Sequence, residues 1–210
     1  MNKILHKNLA NAIVLFRVTL VFVAICFLNA ESLALEITGT AILAISMLLD
    51  WVDGYIAQKF NICSKVGALM DTLGDRITEN LPLIFFACQH ILPLYVPLIF
   101  ITRSFLADFI RLLNFQHWLS TFAVNTSFGG KLFVASRPSR ALYLCAKIIL
   151  IFTACLALIA PQLPGAPSLN QQNLSGAITW LSAFTVAFCL LRFVFLVYDS
   201  RTIIKQEFFR

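Results

Sequence analysis

Apolar residues run along this chain in long blocks, not in the alternation of a strand or the narrow stripe of a soluble helix. A helix needs about 20 apolar residues to cross a bilayer, and windows of that length find six segments: 12–30, 35–57, 68–90, 91–113, 138–160 and 176–198. Residues 81–101 run on with little polarity, so the third and fourth segments are divided at HILPLYVP, residues 90–97, where Pro93 and Pro97 break the pattern. A five-segment division would move the C-terminus to the other side of the membrane. PQLPGAPSLNQQN at 161–173 reads as the clearest loop. With no internal repeat and no low-complexity stretch, residues 1–210 read as one helical domain.

The polar positions between the segments set the orientation. Lys3, Lys7 and Arg17 lie near the N-terminus, Lys59 and Lys65 between segments 2 and 3, Lys131, Arg137 and Arg140 before segment 5, and Arg201, Lys205 and Arg210 at the end. The connections 30–36, 90–93 and 161–175 carry no Lys or Arg. Basic residues stay cytoplasmic, so this alternation requires an even number of spans with both termini inside. The apolar run after the first basic flank is too long for a cleaved leader, and it reads as a span.

Composition agrees. At 60% hydrophobic and 12% charged, with a mean hydropathy of +0.85, the chain has the makeup of an all-α integral membrane protein of about six transmembrane helices. Its net charge of +6 sits where topology and anionic headgroups want it, and no mixed aromatic and basic motif suggests nucleic acid. The six cysteines are scattered without a metal-ligand or redox spacing, and they read as small apolar packing residues.

Against this background the stretch DWVDGYIAQKFNICSKVGALMDTLGD, residues 50–75, stands out. It holds Asp50, Asp53, Asp71 and Asp75, four of the ten acidic residues. The first two are three apart near the end of segment 2, and the last two are four apart near the start of segment 3, so each pair shares one helix face. If segments 2 and 3 pack as an antiparallel hairpin, four carboxylates converge near the cytoplasmic surface. Burying even one charge at that depth costs several kcal/mol unless it is paired. Hard divalent cations, Mg²⁺ or Mn²⁺, one or two of them, suit such an oxygen cage. Gly54, Ala57 and Gly67 sit within a turn of the acids, where small side chains let a helix or a ligand approach. Two other readings stay open: loop acids in water, and a cation or proton pathway.

Written out, the stretch is D-x2-D-G-x2-A-Q-x8-G-x3-D-x3-D. It resembles the signature of the CDP-alcohol phosphotransferase family, also called CDP-alcohol phosphatidyltransferases, with every spacing kept and Gln58 where that family has Arg. The resemblance implies a six-helix membrane enzyme that moves a substituted phosphate from a CDP-linked donor to an alcohol and releases CMP. It implies metal ligation by Asp50, Asp53, Asp71 and Asp75, with Asp75 also the general base. It places the nucleotide against Gly54, Ala57, Gln58 and Gly67, and it implies a homodimer. The chemistry asks for the same residue types: metals to neutralise a diphosphate, and a carboxylate to take a proton from an alcohol. Gln58 keeps a hydrogen-bonding amide but brings no charge.

Two looser likenesses bear on the acceptor. Residues 8–17, ending in Arg17, are similar to the N-terminal NxPNxLTxxR pattern of bacterial phosphatidylglycerophosphate synthases, without its Pro and Thr. The stretch from Arg103 to Arg111 is similar to an arginine pair in the fourth helix of the same enzymes. With Arg137 and Arg140 at the start of segment 5, four guanidinium groups on the cytoplasmic side suit a phosphorylated acceptor. The expectation is therefore phosphatidyl transfer from CDP-diacylglycerol to glycerol 3-phosphate at the cytoplasmic face of a bacterial inner membrane. Inositol phosphate or another polar alcohol is the alternative acceptor. The alternative from another class is a non-catalytic metal-binding or ion-conducting membrane protein. Arg192, inside segment 6, is expected to snorkel to the interface, and Glu79 either orients Arg76 or faces the cleft.

Overall fold

A computed structural model of the chain describes residues 2–59, 65–116, 127, 129–163 and 171–208. Within these, the side chains of residues 2–11, 50–59, 65–66, 68, 111, 113–116, 135, 137, 171–172 and 202–208 lie outside the described set. The described residues form six α-helices: α1 Asn2–Leu28, α2 Leu33–Lys59, α3 Lys65–Cys88, α4 Tyr95–Gln116, α5 Arg137–Ile159 and α6 Gln171–Phe208. Each predicted apolar segment has its helix. The division at residues 90–97 is real: α3 stops at Cys88, His90 takes a left-handed turn at φ 56°, and α4 begins at Tyr95.

α1, α2 and α6 outrun their apolar segments because hydropathy marks what lipid can solvate, whereas helical geometry continues into polar sequence. At 38 residues, α6 is about 57 Å long, well beyond a hydrocarbon core of about 30 Å. Its last turns carry Arg201 and Lys205. By length and apolarity, Pro138–Gln162 and Asn173–Arg201 qualify as membrane-crossing helices, with shorter apolar stretches at Ala12–Leu28 and Leu33–Leu49.

The chain divides into two compact units, residues 1–91 with 154–170, and residues 92–153 with 171–210. In the first, α1 runs antiparallel to α2, with Ser46 Oγ donating to the Arg17 carbonyl at 3.4 Å. At the other end of that contact, a Cβ on Gly39 would lie 2.8 Å from the Ala24 carbonyl oxygen, so glycine lets the two backbones close up. α3 runs parallel to α1: Arg17 meets Asp75 at one end and Asn29 meets Gln89 at the other. Thus α1 packs broadly on both neighbours, while α2 and α3 touch only narrowly among the described residues. The expected α2–α3 hairpin is in fact wedged by α1. The end of α5 and the 3₁₀ turn after it, Ala160–Gln162, join this unit, where Gln162 Nε2 donates to the buried Glu36 at 2.6 Å.

In the second unit α4 packs on α6 through Ala107, Ile110 and Leu196, edged by Phe193 and Val197. A π-helical turn, Gly130–Ala135, leads into α5 and lies against α6. Phe133 stacks on Phe195 at 5.4 Å between ring centres. A Cβ on Gly129 would run into the Phe195 ring, and one on Gly130 into the Asp199 carboxylate. That glycine pair is what lets the turn seat.

Both units bury charged side chains within an otherwise apolar core and turn large apolar side chains outward. Arg17, Glu36, Arg103, Lys147 and Arg192 are all less than a tenth exposed, while Leu15, Phe16, Leu48, Leu73, Phe105 and Trp180 face outward. Water does not favour that arrangement and lipid does. The described cysteines divide accordingly: Cys155 and Cys189 are buried, as expected of packing residues, but Cys26, Cys88 and Cys145 are exposed, and Cys63 lies outside the described residues.

Candidate active site

α3 carries half of the acidic cluster. Asp71 and Asp75 are one turn apart on one face, with side chains 51% and 39% exposed. Facing them from α1 is Arg17, whose side chain has no exposure at all. Its Nη2 donates to Asp75 Oδ1 at 2.7 Å and lies 4.0 Å from Asp71 Oδ1. A cation that enters from the neighbouring helix at this depth stays charged, because guanidinium does not release its proton in proteins. Gly74 makes room for it: a Cβ there would stand 2.6 Å from Val14 Cγ1 and 3.0 Å from Arg17 Nη2.

The other half of the cluster lies on α2, which is helical through Asp50 and Asp53 to Lys59. Since Ser46 is level with Arg17, and Arg17 with Asp75, the helix register places position 50 at the depth of position 71. The side chains of Asp50, Asp53, Gly54, Ala57 and Gln58 are outside the described residues, and among the described residues no three metal-ligating groups converge. The donor set suits a hard cation nonetheless: two partly open carboxylates on α3, with two further aspartate positions at matching depth on α2. Gly67 opens α3 one turn before Asp71 and is half-buried. Glu79 resolves toward its first alternative, lying 3.7 Å from Arg76 Nη1.

The second unit gathers cations around one ring. Arg103 of α4, Lys147 of α5 and Arg192 of α6 lie 5.9, 4.6 and 5.3 Å from the centre of the Tyr143 ring. All three are buried, and so is Tyr143. Arg192 does not snorkel: it turns inward, donating to Ser139 Oγ at 3.1 Å and the Val134 carbonyl at 3.5 Å, and so ties α6 to the start of α5. Arg103 Nε is buried without a hydrogen-bond partner. Stacked and leaning guanidinium groups are held by the ring's negative face while their edges stay able to bind an anion.

Of the four expected acceptor-site arginines, Arg103 joins this group and Arg140 is exposed at the surface, while the side chains of Arg111 and Arg137 are outside the described residues. Lys147 and Tyr143 are additions that sequence reading missed, and Arg17 was read there as a topological charge and as the end of the 8–17 likeness, with no tie to the aspartates. The signal for Lys147 was present, since a lysine ten residues into an apolar stretch needs a reason.

Comparison with known proteins adds to this geometry. The family model described as CDP-alcohol phosphatidyltransferase matches residues 7–191. A CDP-diacylglycerol–glycerol-3-phosphate 3-phosphatidyltransferase of Bacillus subtilis (strain 168) is 28% identical over 117 residues, covering 50% of this chain and 61% of that protein's length. A protein of the same name from Rickettsia bellii (strain RML369-C) is 25% identical over 166 residues, covering 74% of this chain and 92% of its own. A putative cardiolipin synthase of Mycobacterium tuberculosis (strain ATCC 25618 / H37Rv) is 40% identical over 66 residues, 31% of this chain and 32% of its own. The family model spans both compact units and takes in the whole aspartate stretch, and the chain belongs to the CDP-alcohol phosphatidyltransferase family.

Proposed function

We propose that this chain is a bacterial membrane enzyme that transfers a phosphatidyl group from CDP-diacylglycerol to glycerol 3-phosphate, releasing CMP. The observation that carries the reading is the aspartate pattern itself: kept in spacing, split between α2 and α3, and set at matching depth by α1. Asp50, Asp53, Asp71 and Asp75 would hold Mg²⁺ or Mn²⁺, one ion or two, which neutralises the donor diphosphate and the charge that develops on departing CMP. Gly54, Ala57 and Gly67 leave space for the nucleotide beside the helices, and Gln58 offers it an amide. Asp75 accepts the proton of the acceptor hydroxyl as that oxygen forms its bond to the lipid-side phosphorus and the bond to CMP breaks.

A small phosphorylated alcohol brings a dianionic group that Arg103, Lys147 and Arg192 are suited to bind, with Arg103 Nε buried and in want of an acceptor. Arg111, Arg137 and Arg140 remain candidates for the same phosphate. The whole chain, 1–210, acts as one membrane domain of six spans with its termini and site on the cytoplasmic side, an orientation supported by where the basic residues lie. A homodimer in the bilayer is the assembly that the family likeness implies. The short match to a putative cardiolipin synthase raises a lipid-borne glycerol as a second acceptor.

The test is CMP release and labelled-lipid formation by the purified protein in detergent with CDP-diacylglycerol and Mg²⁺ or Mn²⁺. Glycerol 3-phosphate is compared with inositol phosphate, phosphatidylglycerol, serine and inositol, and Asp75→Asn serves as the control. Product from glycerol 3-phosphate that is lost in Asp75→Asn is the expected result. Product from another acceptor alone would replace the substrate. No CMP from folded protein with any acceptor would favour the non-catalytic, metal-binding reading.

A further inference from the structure

Arg17 is the buried charge that membrane topology least explains. It has no solvent exposure, it stands five residues into the apolar stretch that begins at Ala12, and its Nη2 is aimed at Asp75 and Asp71 through the gap over Gly74. Two carboxylates one helical turn apart repel each other. More acidic positions lie at the same depth on α2. Without a counter-charge that face of α3 would splay or rotate its side chains away before any metal arrived.

We propose that Arg17 is a positioning residue: a resident counter-ion that keeps the Asp71 and Asp75 carboxylates in place for metal binding and proton transfer. The inference rests on reading the aspartates as the metal cage. The hydrogen bond reaches one oxygen of Asp75, Oδ1, and does not fork across both. Such a contact fixes the rotamer and leaves the second oxygen for other work, which a bidentate pair would not. The donor is delivered by α1, the helix that also packs on α2, so one residue ties the two helices of the motif: the Arg17 carbonyl accepts from Ser46 of α2 and its side chain meets Asp75 of α3. Arg17 touches neither the reacting phosphorus nor the acceptor in this scheme; its effect passes through Asp75.

The test is thermal unfolding of the full-length protein in detergent, with EDTA and with saturating Mn²⁺, for the wild type and Arg17→Met, together with steady-state kinetics. Arg17→Met keeps the length and bulk of the stem but not the charge. In EDTA its Tm is expected to fall by about 5 °C, since two partly open carboxylates one turn apart lose the counter-charge beside them. Mn²⁺ should then raise its Tm by clearly more than it raises that of the wild type, because the metal supplies the missing positive charge. kcat should drop about 100-fold with KM for CDP-diacylglycerol changed less than about threefold, the signature of a misplaced base. A lower Tm with a metal-induced rise equal to the wild type's and an unchanged kcat would make Arg17 a packing residue and overturn the proposal. If Arg17→Met does not fold even with Mn²⁺, Arg17→Met combined with Asp75→Asn decides: recovery of folded protein supports a counter-ion, and failure to recover overturns it. A wild type with no metal-induced rise would sink the cage reading, and this inference with it.

Discussion

The two regions of buried charge in this protein are built on opposite plans. In the first unit one guanidinium from α1 meets two carboxylates of α3, and two further aspartates lie at their depth on α2, so acid exceeds base. In the second, three cationic side chains from three helices lean on the face of one tyrosine, held by a ring, a hydroxyl and a carbonyl oxygen. Excess acid suits metal cations, and gathered cations suit an anion. Under the proposed function the contrast matches a donor that arrives with divalent metal and an acceptor that arrives as a phosphate. It also explains why the structural costs differ. Carboxylates need a resident counter-ion, whereas arginine can rest on an aromatic ring at modest cost until a ligand comes.

The sharpest way to break the comparison is to remove acid from the first region. Asp71→Asn and Asp75→Asn are each expected to lower kcat for CMP release by about 1000-fold or more, because metal ligation and proton acceptance fail together. Isothermal titration with Mn²⁺ should show weakened binding in both variants. Near-wild-type turnover in either would detach the aspartates from the chemistry.

Removing charge from the second region should act on a different quantity. Arg103→Met and Arg192→Met are expected to raise KM for glycerol 3-phosphate by about 10- to 100-fold, consistent with one lost charge-assisted contact each. KM for CDP-diacylglycerol should stay within about threefold. If both Michaelis constants rise together, the cluster serves packing or the donor, and the division of labour between the regions is wrong. Arg192→Met should also loosen the start of α5, since that side chain holds Ser139 and the Val134 carbonyl. Arg103→Met is therefore the cleaner of the two.

Sequence and structure agree unevenly, for physical reasons. The helices were legible because lipid-facing sequence must be apolar over a whole span, and the division near Pro93 survived because proline and a left-handed turn are local events. The helical placement of the aspartate positions on α2 and α3 was legible because their spacing is helical and short-range. The arrangement of helices was not. Wedging α1 between α2 and α3 depends on how the helices pack and rotate, which follows from close contacts such as those at Gly39 and Gly74, and neither glycine is marked out in the sequence. For the same reason Arg17 was legible as a basic residue near the terminus and as the end of the 8–17 likeness, but its contact with Asp75 was not. Arg192 looked like a snorkelling anchor, because a single cation in an apolar stretch has both options and only its rotation decides between them. The pair at Arg137 and Arg140 drew attention through proximity in the chain, yet Arg140 points to the surface while Lys147, two turns further along α5, turns in toward Tyr143.

Tyr143 itself tests how the cations are held. Tyr143→Phe keeps the ring face and should leave KM for glycerol 3-phosphate within about twofold. Tyr143→Leu removes it, and a rise of about fivefold is expected from the loss of a partly desolvated cation–π contact. If Phe is as damaging as Leu, the phenol oxygen rather than the ring carries the interaction.

The smallest expected effect belongs to the position that departs from the family signature. Gln58→Arg would add a cation to the acidic region, moving it slightly toward the balance of its counterpart. If the amide of Gln58 already contacts a nucleotide phosphate, replacing it with a guanidinium should raise kcat/KM for CDP-diacylglycerol by about three- to tenfold, the difference between a neutral and a charge-assisted hydrogen bond. The gain should shrink as salt rises, because added charge near an open carboxylate cluster is screened. A loss of activity would carry the opposite lesson: with Arg17 already present among the aspartates, a second guanidinium would compete with the metal, and glutamine would be the residue that keeps the cage open.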